Sequence, residues 1–371
     1  MSKNPLSQLS SKGQSFWFDN IHRAMIISGE LDRMIQLDDL RGITSNPAIF
    51  EKAMTSSSDY DSALAQLLSE QPSLDARGYF YALAIQDIQQ AADRLRGVYE
   101  NSNHIDGYVS LEVSPDLAHN TDASIEEARR LFSRIDRPNA MIKIPATKAG
   151  IPVIRQLIRD GINVNATLLF SVERYVEVAN AFIEGLEERQ REGKPLESIA
   201  SVASFFVSRV DGLIDKQMEA RQASPLGKFA IANAKLAYME YQSLFESERF
   251  AKLNGAQSQR LLWASTGTKN ANYSDVLYID SLIGPHTVNT IPPSTADAFR
   301  DHGVISSSLM DGWQQAKEVK IAVENCGIEL HQCMQQLEDE GVALFAKSFD
   351  TLLNAIDQKV QLIRVNNSSA A

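Results

Sequence analysis

The chain has 371 residues, of which 44% are hydrophobic and 22% are charged, and its formal net charge is -11 at pH 7. This length and composition predict a globular protein with one large core. The negative charge argues against a surface that binds nucleic acids or anionic membranes, so a phosphate partner would have to meet a local cluster of Arg and Lys. No apolar run reaches the length of a membrane span, and segment 1–15 has no signal-peptide apolar region, so we expect a cytoplasmic protein.

Short strand patterns alternate with helical patterns along most of the sequence. The first strand pattern covers 15–20 and is followed by helical spacing over 21–35. The second begins at Gly42 and leads through Asn46 into a helix, with Pro47 suited to its first turn. Long helices are expected over 74–99 and from Arg209 to about Phe250, and a shorter one over 273–282. The remaining strand patterns cover 107–113, 141–144, 161–167, 201–207, 260–265 and 287–290.

Eight strand and helix units over residues 15–303 predict an α/β protein with the (β/α)8 TIM barrel fold. A polar N-terminal arm over 1–14 precedes them. After Val304 the pattern is helical only, so we expect additional C-terminal helices over 304–365 that pack on the barrel. Whether these helices cover the barrel mouth stays open at this stage. The polar residues 366–371 predict a frayed tail.

One lysine lies in the middle of the apolar fourth strand pattern. Met141, Ile142 and Ile144 predict a buried strand that Pro145 ends, so Lys143 would point into a packed interior. Burial lowers the pKa of an ammonium and makes a nucleophilic amine available near pH 7, which Schiff-base catalysis on a carbonyl substrate requires. The alternative is a structural lysine that pairs with a carboxylate or with a ligand phosphate.

Polar or ionisable residues recur near the C-terminal ends of the predicted strands. Those ends converge on one face of a barrel, where the active sites of this fold lie. Taken singly, Asp19 and Asn46 would also fit helix caps, but together around a central lysine the set favours an active site. Its members are Asp19, Asn46, Glu112, Lys143, Asn165, Thr167, Ser204, Arg209 and Ser265.

The two cysteines predict neither a disulfide nor a metal site. Cys326 and Cys333 are seven residues apart in a predicted helix, which places them too far along its axis to form a bridge. His331 lies between them in the sequence, but two Cys and one His at these spacings match no zinc site. We therefore expect two free thiols.

Two stretches resemble the signature sequences of the transaldolase family, within the class I aldolase superfamily. They are Gly-Ile-Thr-Ser-Asn-Pro-Ala-Ile-Phe at 42–50 and Met-Ile-Lys-Ile-Pro-Ala-Thr at 141–147. Segments 110–114, 165–171 and 203–209 are similar to the third, fifth and sixth strands of that family, in the same order. The likeness extends from about Phe16 to Phe299. The chain length and the extra helices resemble the longer bacterial form, without the fused glucose-6-phosphate isomerase of some relatives.

The resemblance implies a transferase that needs no metal or organic cofactor. It would move a dihydroxyacetone unit reversibly from sedoheptulose 7-phosphate or fructose 6-phosphate to glyceraldehyde 3-phosphate or erythrose 4-phosphate, in the pentose phosphate pathway. Two alternatives stay open: a fructose-6-phosphate aldolase-type lyase that releases free dihydroxyacetone, and a non-catalytic barrel that binds sugar phosphates. Asp19 and Glu112 argue against the binding protein, because two carboxylates near an anionic ligand weaken binding but serve proton transfer.

The resemblance also implies a role for each site residue. Lys143 would attack the ketose carbonyl, and Glu112 would pass protons through a water held with Thr167. Asp19 would take the proton of the C4 hydroxyl as the bond between C3 and C4 breaks. The substrate hydroxyls would be bound by Asn46, Asn165 and Ser204.

Phosphate binding departs from the family pattern at one point. Arg209 lies five residues after Ser204, as the family's phosphate arginine does, and a guanidinium binds an anion bidentately. Shorter members have a second arginine after the seventh strand, within Ser-Phe-Arg-Asn. The matching stretch here begins at Ser265 and is longer, and Lys269 is the predicted cationic substitute. A second departure is the pair Pro-Ala at 145–146, where the shorter members have small residues that include a serine.

Overall fold

Eight parallel strands close into a barrel in which neighbours in the chain are neighbours in the sheet and the first strand pairs with the last. The structure is a computed structural model that describes residues 4–369. All residues of the eight strands are buried, as expected for parallel strands covered by helices. The fold therefore confirms the predicted (β/α)8 barrel. The strands are β1 Gln14–Phe18, β2 Gly42–Ile43, β3 Tyr108–Glu112, β4 Ala140–Pro145, β5 Val164–Leu169, β6 Ser201–Phe206, β7 Arg260–Ala264 and β8 Thr287–Ile291.

Helices surround the barrel and continue beyond its last strand. Within residues 4–369, none is both long and apolar enough to cross a lipid bilayer. The 3₁₀ helices are Leu6–Lys12, Pro115–Leu117 and Ser308–Met310. The α-helices are α1 Arg23–Ile27, α2 Glu30–Leu37, α3 Pro47–Thr55, α4 Asp61–Glu70, α5 Ala76–Arg94, α6 Arg96–Asn101, α7 Thr121–Ile135, α8 Gly150–Asp160, α9 Val172–Arg191, α10 Ser208–Ala220, α11 Phe229–Phe245, α12 Glu248–Ala251, α13 Leu277–Ser281, α14 Pro293–His302, α15 Trp313–Asn325 and α16 Leu330–Ser369.

Several predicted helices are shorter than expected or divided. The pattern over 74–99 is interrupted at Leu95, which separates α5 from α6. The stretch expected to be helical from Arg209 to about Phe250 contains a loop over 221–228, where Pro225 and Gly227 interrupt the helical backbone. The prediction over 273–282 was also too long, because only α13 is helical there.

The loop over 265–276, between β7 and α13, is held by side chains that compete with helix formation. The Thr268 hydroxyl donates to the Ser274 carbonyl at 2.8 Å, and the Asn270 side chain accepts from the Asn272 amide at 3.0 Å. Ser265 begins the loop with φ 56°, in the left-handed region. The helix predicted from Tyr273 begins only at Leu277, after these local bonds.

Helix α16 crosses the mouth of the barrel. A Cβ atom on its Gly341 would lie 2.9 Å from Leu168 at the end of β5. One turn later Phe345 lines the pocket described below, and Phe349 packs its ring 5.4 Å from that of Phe80 on α5. Lys359 then pairs with Asp61 on α4 at 2.6 Å. The helix thus runs from the β5 side of the mouth to the α4 side.

The predicted division of the chain into an arm, a barrel and C-terminal helices stays a prediction in its boundaries. Part of the predicted polar arm forms the 3₁₀ helix Leu6–Lys12, whose Leu6 and Leu9 are buried. The backbone of α16 continues to Ser369, inside the tail predicted over 366–371. Residues 370 and 371, like 1–3, lie outside the part of the chain that the structure describes.

A buried network around Asp106 lies at the N-terminal ends of the strands, opposite the mouth. The Asp106 carboxylate accepts hydrogen bonds from Ser15 at 2.8 Å, Trp17 at 3.2 Å and Arg260 at 2.8 Å, and Arg41 lies 3.5 Å away. Burial raises the pKa of Asp106, but Arg260, the hydrogen bonds and Arg41 together outweigh burial and leave it lowered. The network therefore stabilises the folded state through an ionised carboxylate.

We expect Asp106→Asn to destabilise the fold by about 3–5 kcal/mol at neutral pH, because it leaves the Arg260 guanidinium buried without its counter-charge. The midpoint of urea unfolding measures this loss. Because the pKa of Asp106 is lower in the folded state than the value of about 3.9 in the unfolded state, ionised Asp106 stabilises the fold above about pH 3.9. This stabilisation is lost as pH falls through the pKa of the folded state. The difference between wild type and variant should therefore narrow below about pH 4.

The matched control is Asp93→Asn, which removes a carboxylate that pairs with Arg137 at 2.6 Å on the surface. The Asp93 side chain is 55% exposed, so its ion pair should contribute less than about 1 kcal/mol. An equal loss in both variants would contradict the stabilising role of the buried network.

Candidate active site

A pocket of about 190 Å³ opens at the C-terminal ends of the strands. Two predicted site residues, Glu112 and Asn165, do not line it, but they flank Lys143 in the sheet, in register on β3 and β5. A larger cavity of about 410 Å³ lies between α9, α11, α15 and α16 and contains none of the predicted site residues. The barrel pocket is therefore the candidate site. Its lining includes eight of the ten predicted residues: Asp19, Asn46, Lys143, Thr167, Ser204, Arg209, Ser265 and Lys269.

Lys143 is buried in the middle of β4, with 4% of its surface exposed. Side chains alternate along a strand, so Lys143 points into the barrel while Ile142 and Ile144 face away from it. Its ammonium Nζ donates to the Ser45 carbonyl at 2.8 Å and lies 3.5 Å from Glu112 Oε2. A short donor contact and a nearby carboxylate thus hold the amine at the edge of the pocket.

Glu112 is buried beside the lysine, and its carboxylate lacks hydrogen bonds within residues 4–369. Burial raises its pKa, Lys143 opposes this effect, and Asp19 adds to it. Among the described residues, neither carboxylate oxygen of Glu112 nor the Thr167 hydroxyl has a hydrogen-bond partner. Because buried polar atoms are normally hydrogen-bonded to protein or water, these atoms can hold a water or a polar substrate group.

Asp19 follows β1 and lies at the end of a chain of hydroxyl groups. The Thr44 hydroxyl donates to Asp19 Oδ1 at 2.7 Å and lies 2.6 Å from the Thr290 hydroxyl. Because the one hydroxyl proton of Thr44 goes to Asp19, Thr290 must be the donor to Thr44. Burial raises the pKa of Asp19, and Lys143, Thr44 and Arg209 oppose that increase.

The alternative that Asp19 and Asn46 are helix caps has a different outcome for each residue. The helix after β1 is capped by His22, whose Nδ1 accepts from the Met25 amide at 3.2 Å, so Asp19 is not a cap. Asn46 is the N-cap of α3, where its Oδ1 accepts from the Ile49 amide at 3.0 Å. Since Asn46 also lines the pocket, the cap orients its side-chain amide next to the site.

Asn165 lies behind the lining and connects two strands through its side-chain amide. Its Nδ2 donates to the Ser110 hydroxyl at 3.1 Å, and its Oδ1 accepts from the Ser204 hydroxyl at 2.7 Å. The Ser45 hydroxyl donates to the Ser110 carbonyl at 2.6 Å. This network fixes Ser45, whose carbonyl accepts from Lys143.

Two cations face the mouth of the pocket. The Arg209 guanidinium lies over the rings of Phe206 and Phe345, 5.3 and 6.0 Å from their centroids. Burial lowers the pKa of Arg209, and Asp19 and Glu340 oppose that change. Lys269 is exposed in the loop over 265–276. Neither cation has an ion-pair partner in the part of the chain that the structure describes, so both are available to an anionic ligand.

Several residues in or beside the pocket were not predicted from the sequence. Thr44 and Thr290 are polar residues at the ends of β2 and β8, so the rule that selected the other site residues would also have found them. Phe345 carries no such signal, because it comes from α16, whose position over the mouth is not encoded in its own pattern. Ser45 was missed because its contribution is a backbone carbonyl.

The cysteines and the metal-binding residue types form no site within residues 4–369. No group of three or more His, Cys, Asp or Glu side chains there is arranged to hold a metal ion. Cys326 and Cys333 are both free, and the Cys333 sulfur accepts a hydrogen bond from Gln217 at 3.2 Å.

Comparison with known proteins identifies the family of the chain. The family model described as transaldolase/fructose-6-phosphate aldolase matches residues 16–356. The chain is 46% identical to Transaldolase 2 of Nostoc punctiforme, over 98% of this chain and 99% of the relative. It is 46% identical to Transaldolase 1 of Streptomyces coelicolor, over 96% and 94%, and 45% identical to a transaldolase of Mycobacterium bovis, over 95% and 96%. The chain therefore belongs to the transaldolase/fructose-6-phosphate aldolase family.

Proposed function

We propose that the protein is a transaldolase that transfers a dihydroxyacetone unit between sugar phosphates through a Schiff base on Lys143. The observation that carries this proposal is the buried amine of Lys143, which is 2.8 Å from the Ser45 carbonyl and 3.5 Å from Glu112 at the edge of the pocket. The reaction interconverts the sugar phosphates of the pentose phosphate pathway, in which we place the enzyme. The cytoplasmic location stays a prediction from the sequence.

Formation of the Schiff base needs a nucleophilic amine and a proton carrier. In our proposal Lys143 attacks the ketose carbonyl carbon, and the resulting carbinolamine loses water to give an iminium ion. Glu112 donates the proton that the departing water needs, through a water held between its carboxylate and Thr167. The raised pKa of Glu112 supports this role, because the carboxyl then exchanges protons closer to neutral pH.

Cleavage needs a base next to the C4 hydroxyl. Asp19 takes that proton as the bond between C3 and C4 breaks, the leaving fragment becomes an aldose phosphate, and the bonding electrons move into the iminium to form an enamine. With an acceptor in place, the enamine attacks the acceptor aldehyde and Asp19 returns a proton to the new hydroxyl. Thr44 supports the ionised form of Asp19 by donating to it at 2.7 Å.

The remaining lining residues would orient the substrate. The amide of Asn46 and the hydroxyl of Ser204 are placed to bind hydroxyls of the three-carbon fragment, and Asn165 holds Ser204 from behind. Arg209 and Lys269 would bind the terminal phosphate of donor and acceptor, with Ser265 beside them at the start of the loop.

The experiment that tests this function compares fructose 6-phosphate with and without erythrose 4-phosphate, in a buffer that contains a metal chelator. We expect sustained formation of sedoheptulose 7-phosphate with the acceptor and no sustained release of dihydroxyacetone without it. Many equivalents of free dihydroxyacetone without an acceptor would show the lyase instead. No product in either reaction, despite binding of the sugar phosphate, would favour the non-catalytic barrel.

A further inference from the structure

Two buried aspartates on α10 each bind two segments that lie later in the sequence. Asp215 accepts from the Gly227 amide at 2.9 Å and from the Tyr273 hydroxyl at 2.8 Å. Asp211, one turn earlier, accepts from the Ala230 amide at 2.7 Å and from the Tyr278 hydroxyl at 3.0 Å. Each carboxylate therefore ties α10 to the loop or helix that follows it and to the segment after β7.

Tyr273 ends the turn that follows Lys269. The Tyr273 amide donates to the Asn270 carbonyl at 3.1 Å, which closes a turn directly after Lys269. The Tyr273 ring also packs on Gly227, where an added Cβ atom would lie 2.7 Å from the ring carbon Cζ. Gly227 has φ 64°, in the left-handed region, so the close approach and the backbone both require glycine there.

Helix α10 also carries the other cation of the pocket. Arg209 is its second residue, and Asp215 lies on the same rigid helix less than two turns later. The chain Asp215 to Tyr273 to the turn after Lys269 is thus a direct connection between the element that holds Arg209 and the loop that holds Lys269. The first residue of the loop is tied to α10 as well, since the Ser265 carbonyl accepts from the Ser208 amide at 2.9 Å and the two hydroxyls lie 2.9 Å apart. Tyr273 fixes the other side of the loop, after the exposed Lys269.

We propose that Tyr273 is a positioning residue for phosphate binding: by its hydrogen bond to Asp215 it fixes Lys269 relative to Arg209, so that one phosphate meets both cations. This inference rests on the proposed function only in its assignment of Lys269 to phosphate. It adds the group that sets the spacing of the two cations and explains how a longer loop than that of the shorter family members can present a lysine reproducibly.

A structural role alone would make Tyr273 and Tyr278 equivalent. Both hydroxyls donate to a buried aspartate of α10, at 2.8 and 3.0 Å. Tyr278 lies in α13, after the loop has ended, whereas Tyr273 lies within the loop and closes the turn after Lys269. Tyr278→Phe is therefore the matched control for Tyr273→Phe.

The test measures the KM for fructose 6-phosphate, kcat, and the Kd for inorganic phosphate by calorimetry, at about pH 8, well above the ordinary pKa of an aspartate. That pH is chosen because burial raises the pKa of Asp211 to about 6. We expect Tyr273→Phe to raise KM and the phosphate Kd by roughly threefold with little change in kcat, and Lys269→Ala to raise them by roughly five- to tenfold. The double variant should have the same KM and phosphate Kd as Lys269→Ala alone, because the hydrogen bond of Tyr273 affects phosphate binding only through Lys269.

A second variant reaches the same group by a different route. Gly227→Ala would displace the Tyr273 ring without removing its hydroxyl, and it would also strain the left-handed backbone at 227, so the midpoint of urea unfolding is measured beside KM. Its rise in KM should show the same lack of additivity with Lys269→Ala. Additive effects with Lys269→Ala, or an equal rise in KM in Tyr278→Phe, would overturn the proposal. The phosphate titration separates this failure from failure of the proposed function, because it needs no turnover.

Discussion

Lys143→Ala is expected to abolish dihydroxyacetone transfer, with a fall in kcat of roughly 10⁴-fold or more. Every step proposed for the reaction begins with a covalent bond to this amine, and no other described lysine in the pocket is buried beside a carboxylate. Intact mass after sodium borohydride reduction with fructose 6-phosphate measures the bond directly. We expect a three-carbon adduct in wild type that maps to Lys143, and none in the variant.

Lys143→Arg separates covalent catalysis from a merely electrostatic role of the lysine. Arginine keeps the positive charge beside Glu112 but forms no Schiff base with a ketone under these conditions. The variant should therefore be as inactive as Lys143→Ala while retaining its fold, as judged by the midpoint of urea unfolding. An arginine variant that keeps substantial activity would mean that the lysine acts as an ion-pair partner, as the structural alternative requires.

The barrel and the central lysine could be predicted because their signals are local. A strand buried on both faces is a short apolar run, and a lysine within such a run stands out against it, as at 141–144. Polar residues at the ends of such runs are then brought together by the barrel topology itself. The structure places all of the predicted site residues at that one end, although Glu112 and Asn165 flank Lys143 in the sheet instead of lining the pocket.

What could not be predicted depends on distances between parts of the chain that are far apart. The strand-end rule would find Thr44 and Thr290 one by one, but they are 246 residues apart in sequence, and the rule does not show that their hydroxyls meet. Only the closed barrel, in which β1 pairs with both β2 and β8, brings their hydroxyls together next to Asp19. The amphipathic pattern of α16 likewise predicts that one face packs, but it does not say that Phe345 packs over Arg209.

The helix predicted over 273–282 begins later than expected for a different reason. At its predicted start, the Ser274 carbonyl accepts from the Thr268 hydroxyl, and the Tyr273 hydroxyl binds a carboxylate on α10. Local hydrogen bonds of this kind compete with helix formation, and a tertiary bond adds to them. Hydrophobic periodicity does not record either effect.

Asp19→Asn is expected to lower kcat by about 10²–10⁴-fold while leaving the Schiff base intact. In our proposal Asp19 acts only at the cleavage step, after Lys143 has already bound the ketose. Borohydride reduction with fructose 6-phosphate should therefore trap the whole six-carbon sugar phosphate on Lys143, whereas wild type gives the three-carbon fragment. The difference in mass between the two adducts is the phosphorylated aldose that has not left.

Glu112→Gln is the matched control, because it removes the other buried carboxylate near the amine. That variant should slow the appearance of any adduct, since Glu112 serves the loss of water, but the adduct that forms should be three-carbon. A three-carbon adduct at the wild-type rate in Asp19→Asn would contradict the role of Asp19. If Asp19→Asn forms no adduct, Asp19 acts at a step before cleavage.

The pH dependence of the wild-type rate gives a second measure of the same carboxyl group. Asp19 must be ionised to take a proton, and burial raises its pKa against the opposing effects of Lys143, Thr44 and Arg209. The rate of cleavage should therefore fall as pH decreases through that raised pKa, above the value of about 3.9 for an unperturbed aspartate. Thr44→Val removes the donor that favours the ionised form, so it should move this decrease in rate to higher pH, whereas Thr44→Ser should not. If the decrease occurs at the same pH in Thr44→Val, another group controls it, and Glu112 is the next candidate because its pKa is also raised by burial.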